Sequence, residues 1–355
     1  MKLQIASFLA ASLLVPVLAA PTRRWVDRSI QLDQGQFVGS SDGVVNRFLA
    51  IPFALPPVGD RRLRQPEPHP AYTGNYDSHQ FGPSCPQPPP IKFPGDSIIS
   101  AAATAIFEQV WNVVGPDSED CLTLNIVAPT SIANSTKLPV VVFIPGGGFQ
   151  IGESFIYDGT LVVSRSIKLG TPVIWVSVNY RVNMFGFPGG KAAKDAGIGN
   201  LGLLDQRVAL KWIQKYISTF GGDPSKVTLW GQSAGAISIA LQMIHDGENS
   251  ENLYRAAFLE SGGPLPIGYM DDARVQSAYD QVLEGTACTN ATDTLECLRG
   301  VPYDTLKKAI GATPGLFDRT SVMVPFIPRV DGTFFKETPF QSVSKGKVVN
   351  IPFIS

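Results

Sequence analysis

Sixteen consecutive residues, Phe220 to Gly235 (Phe-Gly-Gly-Asp-Pro-Ser-Lys-Val-Thr-Leu-Trp-Gly-Gln-Ser-Ala-Gly), run an apolar strand directly into a serine flanked by glycines. In Gly-x-Ser-x-Gly the serine occupies a strained strand-to-helix turn, and side chains at Gly231 and Gly235 would clash with it there. Ser233 is thereby held at the tip of the turn with its hydroxyl presented outward, as a nucleophile elbow requires. The pentapeptide alone also fits an ordinary turn, so its flanks decide. Val227 to Trp230 reads as a buried strand, and Ala234 to Ile244, small and apolar without proline, reads as the helix that follows.

The same alternation fills the middle of the chain. Apolar runs at Leu122–Val127, Val140–Ile144, Val173–Val178, Val227–Trp230 and Ala256–Leu259 are separated by helical patterns such as Gln206–Phe220. Strands apolar on both faces, with helices between them, predict an α/β fold with a mostly parallel central sheet covered by helices on both faces. Upstream, Ser29–Ala54 reads as short antiparallel strands with turns at Gly35 and Asp42-Gly43, followed by a proline-rich, irregular surface stretch from Pro52 to Pro94. Between Gly262 and Lys347 the pattern loosens into short helices and proline-broken segments, an inserted or peripheral subdomain. Val348–Ile354 then begins another strand, and the sequence stops at Ser355.

Composition narrows the function. With 44% hydrophobic and 17% charged residues, 34 Gly and 29 Pro, the 355-residue chain is a large, loop-rich globular body, not a disordered or fibrous one. Net charge is −1 and no basic run appears, so a nucleic-acid partner is not expected and an uncharged small molecule or a lipid is. Residues 1–20 carry a lysine, an apolar stretch and small residues at Val17, Ala19 and Ala20, the pattern of a cleaved secretory signal and too short an apolar core for a membrane anchor. Nothing later approaches a transmembrane helix. The mature protein is therefore expected to be secreted, in agreement with glycosylation sequons at Asn134 and Asn290. Cys85, Cys121, Cys288 and Cys297 are even in number and suit an oxidising compartment. Three pairings are open, and Cys85 with Cys121 and Cys288 with Cys297 is favoured because it closes two local loops. Without a Cys-x-x-Cys, zinc and redox chemistry have little support.

A serine nucleophile needs oriented donors where negative charge develops. Pro145-Gly-Gly-Gly-Phe149 follows the strand Val140–Ile144, and its glycines leave backbone N–H groups unobstructed, so Gly147 and Gly148, with the N–H of Ala234, are the candidate oxyanion hole. Other matches fail on context. Gly197-Ile-Gly-Asn-Leu-Gly202 fits a dinucleotide fingerprint but follows the charged stretch Lys191–Asp195 instead of a strand, and Gly190-Lys191 lacks the upstream glycine of a P-loop. Asp205 and Arg207 read as structural ion-pair partners. Neither a metal nor a cofactor is implied.

Taken together, these residues resemble the type-B carboxylesterase and lipase family of α/β-hydrolases. Glu119-Asp-Cys-Leu-Thr-Leu-Asn-Ile126 is similar to its second signature, and Phe48–Ala54, Val178-Asn-Tyr-Arg181 and Gly199–Arg207 to its other blocks, over roughly residues 30 to 355. The resemblance implies acyl transfer to a small-molecule or lipid ester, the two local disulfides, and a lid or flap bracketed by Cys85 and Cys121. Two departures are minor: Gln232 stands where many members have glutamate, and Pro145 where an aromatic or histidine is common. The third is larger, because the family's acid and histidine both follow the strand on which this sequence stops. His245 lies twelve residues along the helix from Ser233, roughly 18 Å away. His69 and His79 fall in the proline-rich stretch and read as solvent-exposed, and Asp331 and Glu337 precede the last strand. No acid or base is assigned. The expectation is a C-terminally truncated, partial hydrolase domain over 21–355 with an incomplete sheet, nearly inert as an esterase, since losing a triad member costs on the order of 10⁶ in turnover. The alternative is a non-catalytic, esterase-like binding module. Ser97–Val114, apolar with a polar stripe at Ser100, Thr104, Glu108 and Asn112, reads either as a lid that opens at a lipid interface or as a helix packed permanently on the body.

Overall fold

The computed structural model describes residues 24–88, 101–102, 116–131, 137–247, 249–265, 267–315 and 324–355. The secretory signal, Asn134 and the lid segment apart from Ala101 and Ala102 lie outside the described residues.

Strands β1 (Val26–Leu32), β2 (Gln34–Ser41) and β3 (Val45–Pro52) form an antiparallel meander. Its second turn is where the sequence puts it: Asp42 Oδ1 accepts from the amides of Val44 and Val45 at 2.9 and 2.8 Å, and Gly43 takes φ +84°. The first is at Asp33 (φ +50°) and not at Gly35, which pairs with Leu32 inside the ladder. Gly35 answers to packing, since a Cβ there would lie 2.7 Å from Tyr72 Cβ. The proline-rich stretch is likewise less irregular than its composition suggests. It contributes β4 (Thr73–Asp77), parallel to β2, and a fully buried Tyr72 in edge contact with Phe37. Tyr72 donates to the Pro52 carbonyl at 2.5 Å and accepts from Trp212 Nε1 at 2.6 Å. These bonds satisfy a hydroxyl that burial would otherwise penalise.

The rest of the sheet comprises β5 (Thr123–Pro129), β6 (Leu138–Ile144), β7 (Ile174–Val178), β8 (Gly222–Gln232), β9 (Ala256–Glu260) and β10 (Phe353–Ile354). The spatial order is β1-β2-β3-β5-β7-β6-β8-β9-β10, antiparallel through β5 and β7, then parallel from β7 onward. The site is carried by the parallel half. The helices are α1 (Thr160–Lys168), α2 (Asn183–Gly186), α3 (Lys191–Asp195), α4 (Leu201–Tyr216), α5 (Ala234–Ile244), α6 (Ala273–Gly285), α7 (Thr294–Gly300), α8 (Tyr303–Gly311) and α9 (Pro339–Ser344).

Both faces of the central strands are buried, as their unbroken apolar runs require. Along β5, β6 and β7, Val127, Phe143 and Trp175 pack on one face with Val163 of α1, while their neighbours Ile126, Val142 and Val176 join Leu210 of α4 and Ile239 of α5 on the other. Period-two alternation thus separates two apolar layers from one apolar string. A further core joins α6, α7 and α8 to Leu63, Met184 and Phe326. It occupies the region where the sequence pattern loosens. Among the described residues no helix is long and apolar enough to cross a membrane.

Candidate active site

At the C-terminal end of β8 the chain reverses through Ser233, whose φ of +54° and ψ of −121° lie outside the regions open to an unstrained L-residue, and enters α5 at Ala234. Glycines make that turn possible. A Cβ on Gly231 would sit 2.5 Å from the Gly235 carbonyl carbon, and one on Gly235 only 1.9 Å from the Ile144 carbonyl oxygen at the end of β6. The backbone around the serine is pinned: Ser233 N–H donates to the Glu260 carbonyl at 2.8 Å, and the Ser233 carbonyl accepts from Ile237 N–H at 2.9 Å. Ser233 itself remains half-buried, so its hydroxyl is not sealed in the core.

The glycine turn after β6 lies against this elbow. Gly146 is so close that a Cβ there would be 2.5 Å from the Gln232 carbonyl oxygen and 3.1 Å from Ser233 Cβ. Gly147 (φ +122°), Gly148 (φ +62°) and Phe149 (φ +61°) then curl the chain, and the Gly147 carbonyl accepts from the amides of Gln150 and Ile151. The loop closes on itself at Gly152, where a Cβ would lie 2.1 Å from the Gly146 carbonyl oxygen. The amides of Gly147, Gly148 and Ala234 have no acceptor among the described residues. Unpaired donors beside an accessible hydroxyl are what a carbonyl oxygen acquiring negative charge would need. Behind the turn, Tyr180 donates to the Pro145 carbonyl at 2.8 Å, its phenol kept protonated by full burial, and Asn183 N–H donates to the Phe149 carbonyl at 2.6 Å.

The Carboxylesterase family profile matches residues 26–355. The chain belongs to the carboxylesterase family. It is 40% identical over 352 residues to Lipase 4 of Diutina rugosa, covering 98% of this chain and 63% of that protein. To Secreted lipase 1 of Botryotinia fuckeliana it is 42% identical over 327 residues, covering 89% of this chain and 56% of the other. The crystal structure of Aspergillus niger EstA superposes with a TM-score of 0.76 at 30% identity, over 92% of this chain and 59% of that one. The fold is that of the α/β-hydrolase esterases, and the chain spans about three fifths of the length of Lipase 4.

The carboxylesterase blocks named from the sequence are held by buried polar contacts. Arg181 and Asp205 form a buried bidentate pair at 2.8 and 2.6 Å, and Asp205 also accepts the Arg181 amide. Arg207 pairs with Glu251 and donates to Gln242 Oε1 of α5. Gln206 donates to Ser238 Oγ, five residues beyond Ser233 along α5. In the second signature, Glu119 grips Arg62, Cys121 is bonded to Cys85, and Asn125 bridges Ser154 and Ser177. The pairing of Cys288 with Cys297 is also as the sequence favoured. Asn290 is exposed.

The histidines are engaged elsewhere. His245 caps the far end of α5, stacked on Phe334 at 3.7 Å with Nδ1 on the Phe334 carbonyl; burial, with help from Arg207, pulls its pKa down. His69 stacks on Tyr72, and His79 bridges Asp77 and Asp27, so both are half-buried and not the freely solvated rings expected. Asp331 accepts from Thr333 and Phe335, and Glu337 pairs with Lys345 and Lys347. None of these side chains contacts Ser233 among the described residues. Sequence reasoning missed Gln87 and Glu153, which flank the glycine turn. An acid within the largely apolar run Phe149–Ile156 was a signal for Glu153, whereas Gln87 in its proline-rich setting carried none.

Proposed function

We propose that the protein is a secreted carboxylic ester hydrolase, an esterase or lipase acting on small-molecule or lipid esters through an acyl-enzyme on Ser233. The observation that carries this reading is the positive φ of Ser233 at the joint of β8 and α5, with the unpaired amides of Ala234 and the abutting glycine turn beside it. Ser233 Oγ would attack the ester carbonyl carbon, and the tetrahedral oxyanion would be held by the amides of Gly147, Gly148 and Ala234. Collapse expels the alcohol, and water then releases the acid. The proton of Ser233 needs a base within hydrogen-bond reach, a role none of His69, His79 and His245 has the position to fill. The names of relatives called secreted lipases support both export and ester substrates.

The test uses the protein secreted by its source organism, labelled with a fluorophosphonate and mapped by peptide mass spectrometry. Label on Ser233 and hydrolysis of an aryl ester that Ser233→Ala abolishes are the expected results. An unlabelled Ser233 in folded protein overturns the reading and favours a non-catalytic, esterase-like binding module.

A further inference from the structure

Glu153 is a carboxylic acid in a place that does not suit a carboxylate. It is 2% exposed, and its Oε2 has no hydrogen-bond partner among the described residues. The buried Ser84 hydroxyl is its polar neighbour. A buried polar atom without a partner costs about 1–3 kcal/mol, so Glu153 in this place calls for a reason.

The reason lies in the neighbours. Glu153 follows Gly152, which packs on the Gly146 carbonyl oxygen and so fixes the base of the glycine turn. Gln87 holds Gly152 in both directions: its Nε2 donates to the Gly152 carbonyl at 3.3 Å, and its Oε1 accepts the Gly152 amide at 3.4 Å. The segment 83–87 is anchored in turn, with Asn179 Nδ2 on the Pro83 carbonyl, Asn183 Nδ2 on the Pro86 carbonyl and Cys85 in its disulfide. Asn183 also donates its amide to Phe149 inside the turn. The 83–87 segment and the turn therefore move as one unit or not at all.

On the reading that Ser233 is the nucleophile, we propose that Glu153 and Gln87 are positioning residues that hold the turn where the Gly147 and Gly148 amides meet an oxyanion. Glu153 does so as a neutral acid, able to share its proton with Ser84 Oγ. Burial pushes the Glu153 carboxyl up to about 7, against a lowering by Ser84 and with a further rise from Asp117. The charged groups around it favour the neutral form: Asp117 raises it, and its partner Lys307, on α8 beside the half-buried Tyr303, is already committed to Asp117. As pH rises through about 7, the folded protein acquires a buried anion without a counter-ion, and the turn loosens.

The experiment compares E153Q, E153A and Q87A with the parent protein as secreted by its source, on a soluble aryl ester. The parent kcat is expected to fall on the alkaline side of neutrality, and E153Q, permanently neutral, to remove that fall. E153A and Q87A should lower kcat by about tenfold or more while KM moves less than about twofold, because the amides act in the transition state. A structural role alone would move melting temperature without erasing the alkaline limb. Hydrogen exchange of the peptide spanning 146–153, corrected for intrinsic rate, gives a second readout independent of catalysis: its protection should drop from pH 6 to pH 8 in the parent and not in E153Q. An E153Q limb like the parent's, or exchange that does not depend on residue 153, overturns the inference. Phosphonylation of Ser233 in the same preparations separates the two hypotheses: a labelled serine with unaffected variants sinks only the positioning role, whereas an inert serine sinks the nucleophile.

Discussion

Arg62 joins a buried ion pair to the end of a helix. Its Nε and Nη2 donate to the two oxygens of Glu119 at 2.6 and 2.7 Å, and its Nη1 donates to the carbonyls of Leu298, Arg299 and Val301 at 3.1, 3.0 and 2.5 Å. The two side chains are 6% and 9% exposed. The guanidinium thus neutralises one buried charge and closes the C-terminal end of α7 together. Removing one partner of a buried pair costs about 3–5 kcal/mol, and the stranded carbonyls bring Arg62→Met to roughly 5 kcal/mol. An unfolding entropy of about 2.1 cal/mol/K per residue is roughly 0.75 kcal/mol/K for this 355-residue chain, so Tm should fall by about 7 °C. Glu119→Gln keeps the shape and leaves the carbonyl bonds intact, so about 3 kcal/mol and roughly 4 °C are expected. The decisive variant carries both Arg62→Met and Glu119→Met. If the ion pair were the whole interaction, removing both charges would return stability to the parent level. Because the α7 carbonyls stay unpaired, the double variant should remain about 2–3 kcal/mol less stable. Calorimetry under non-reducing conditions measures all three. A double variant that melts with the parent protein would refute the capping role, and Arg62→Met melting within about 1 °C of it would refute the argument entirely.

Two further outcomes follow from the same contacts. Gly235→Ala places a Cβ 1.9 Å from the Ile144 oxygen, and relief to an ordinary contact moves α5 by roughly 1.5 Å; on the proposed mechanism kcat should drop about 10²-fold with KM little changed. Replacing Cys85 and Cys121 by alanine opens a loop with sequence separation 36 and should cost roughly 4 kcal/mol by chain entropy. The same change at Cys288 and Cys297, separation 9, should cost roughly 2.5, and the order of the two melting temperatures checks it.

The strands and the elbow were legible because their signals are local. Val140–Ile144 and Ala234–Ile244 have their apolar pattern and punctuation within a few residues, and β6 and α5 fall there. The antiparallel half was harder. Gly35 has the look of a turn residue, yet the ladder passes through it, because what demands glycine is Tyr72 lying against it. Composition misjudged the proline-rich stretch for a related reason. Tyr72 is buried by Phe37 and Trp212, which lie 35 and 140 positions away, and no window of sequence contains that contact. Gln87 and Glu153 were invisible as a pair on the same ground, since neither acquires meaning until Gly152 brings them to one place.

The placement of charge in the carboxylesterase blocks explains how a strained serine can stand at the end of β8. A residue held at positive φ costs of order 1–3 kcal/mol and persists only if its surroundings over-determine it. Here the elbow is boxed on three sides by backbone that cannot retreat: β6 at Ile144, the turn at Gly146, and the β9 end, where Glu260 accepts the Ser233 amide and Gly262 packs on its carbonyl. The β6 end and α5 are locked from behind by buried polar contacts, Tyr180 on Pro145, Gln206 on Ser238, and Arg207 on Gln242. Apolar packing alone would tolerate sliding of α5 along the sheet, because dispersion contacts have no preferred register. Hydrogen bonds to specific atoms of α5 and of the β6 end remove that freedom. The buried polar contacts to α5 and to the β6 end therefore fix the position of one hydroxyl and of the amides around it.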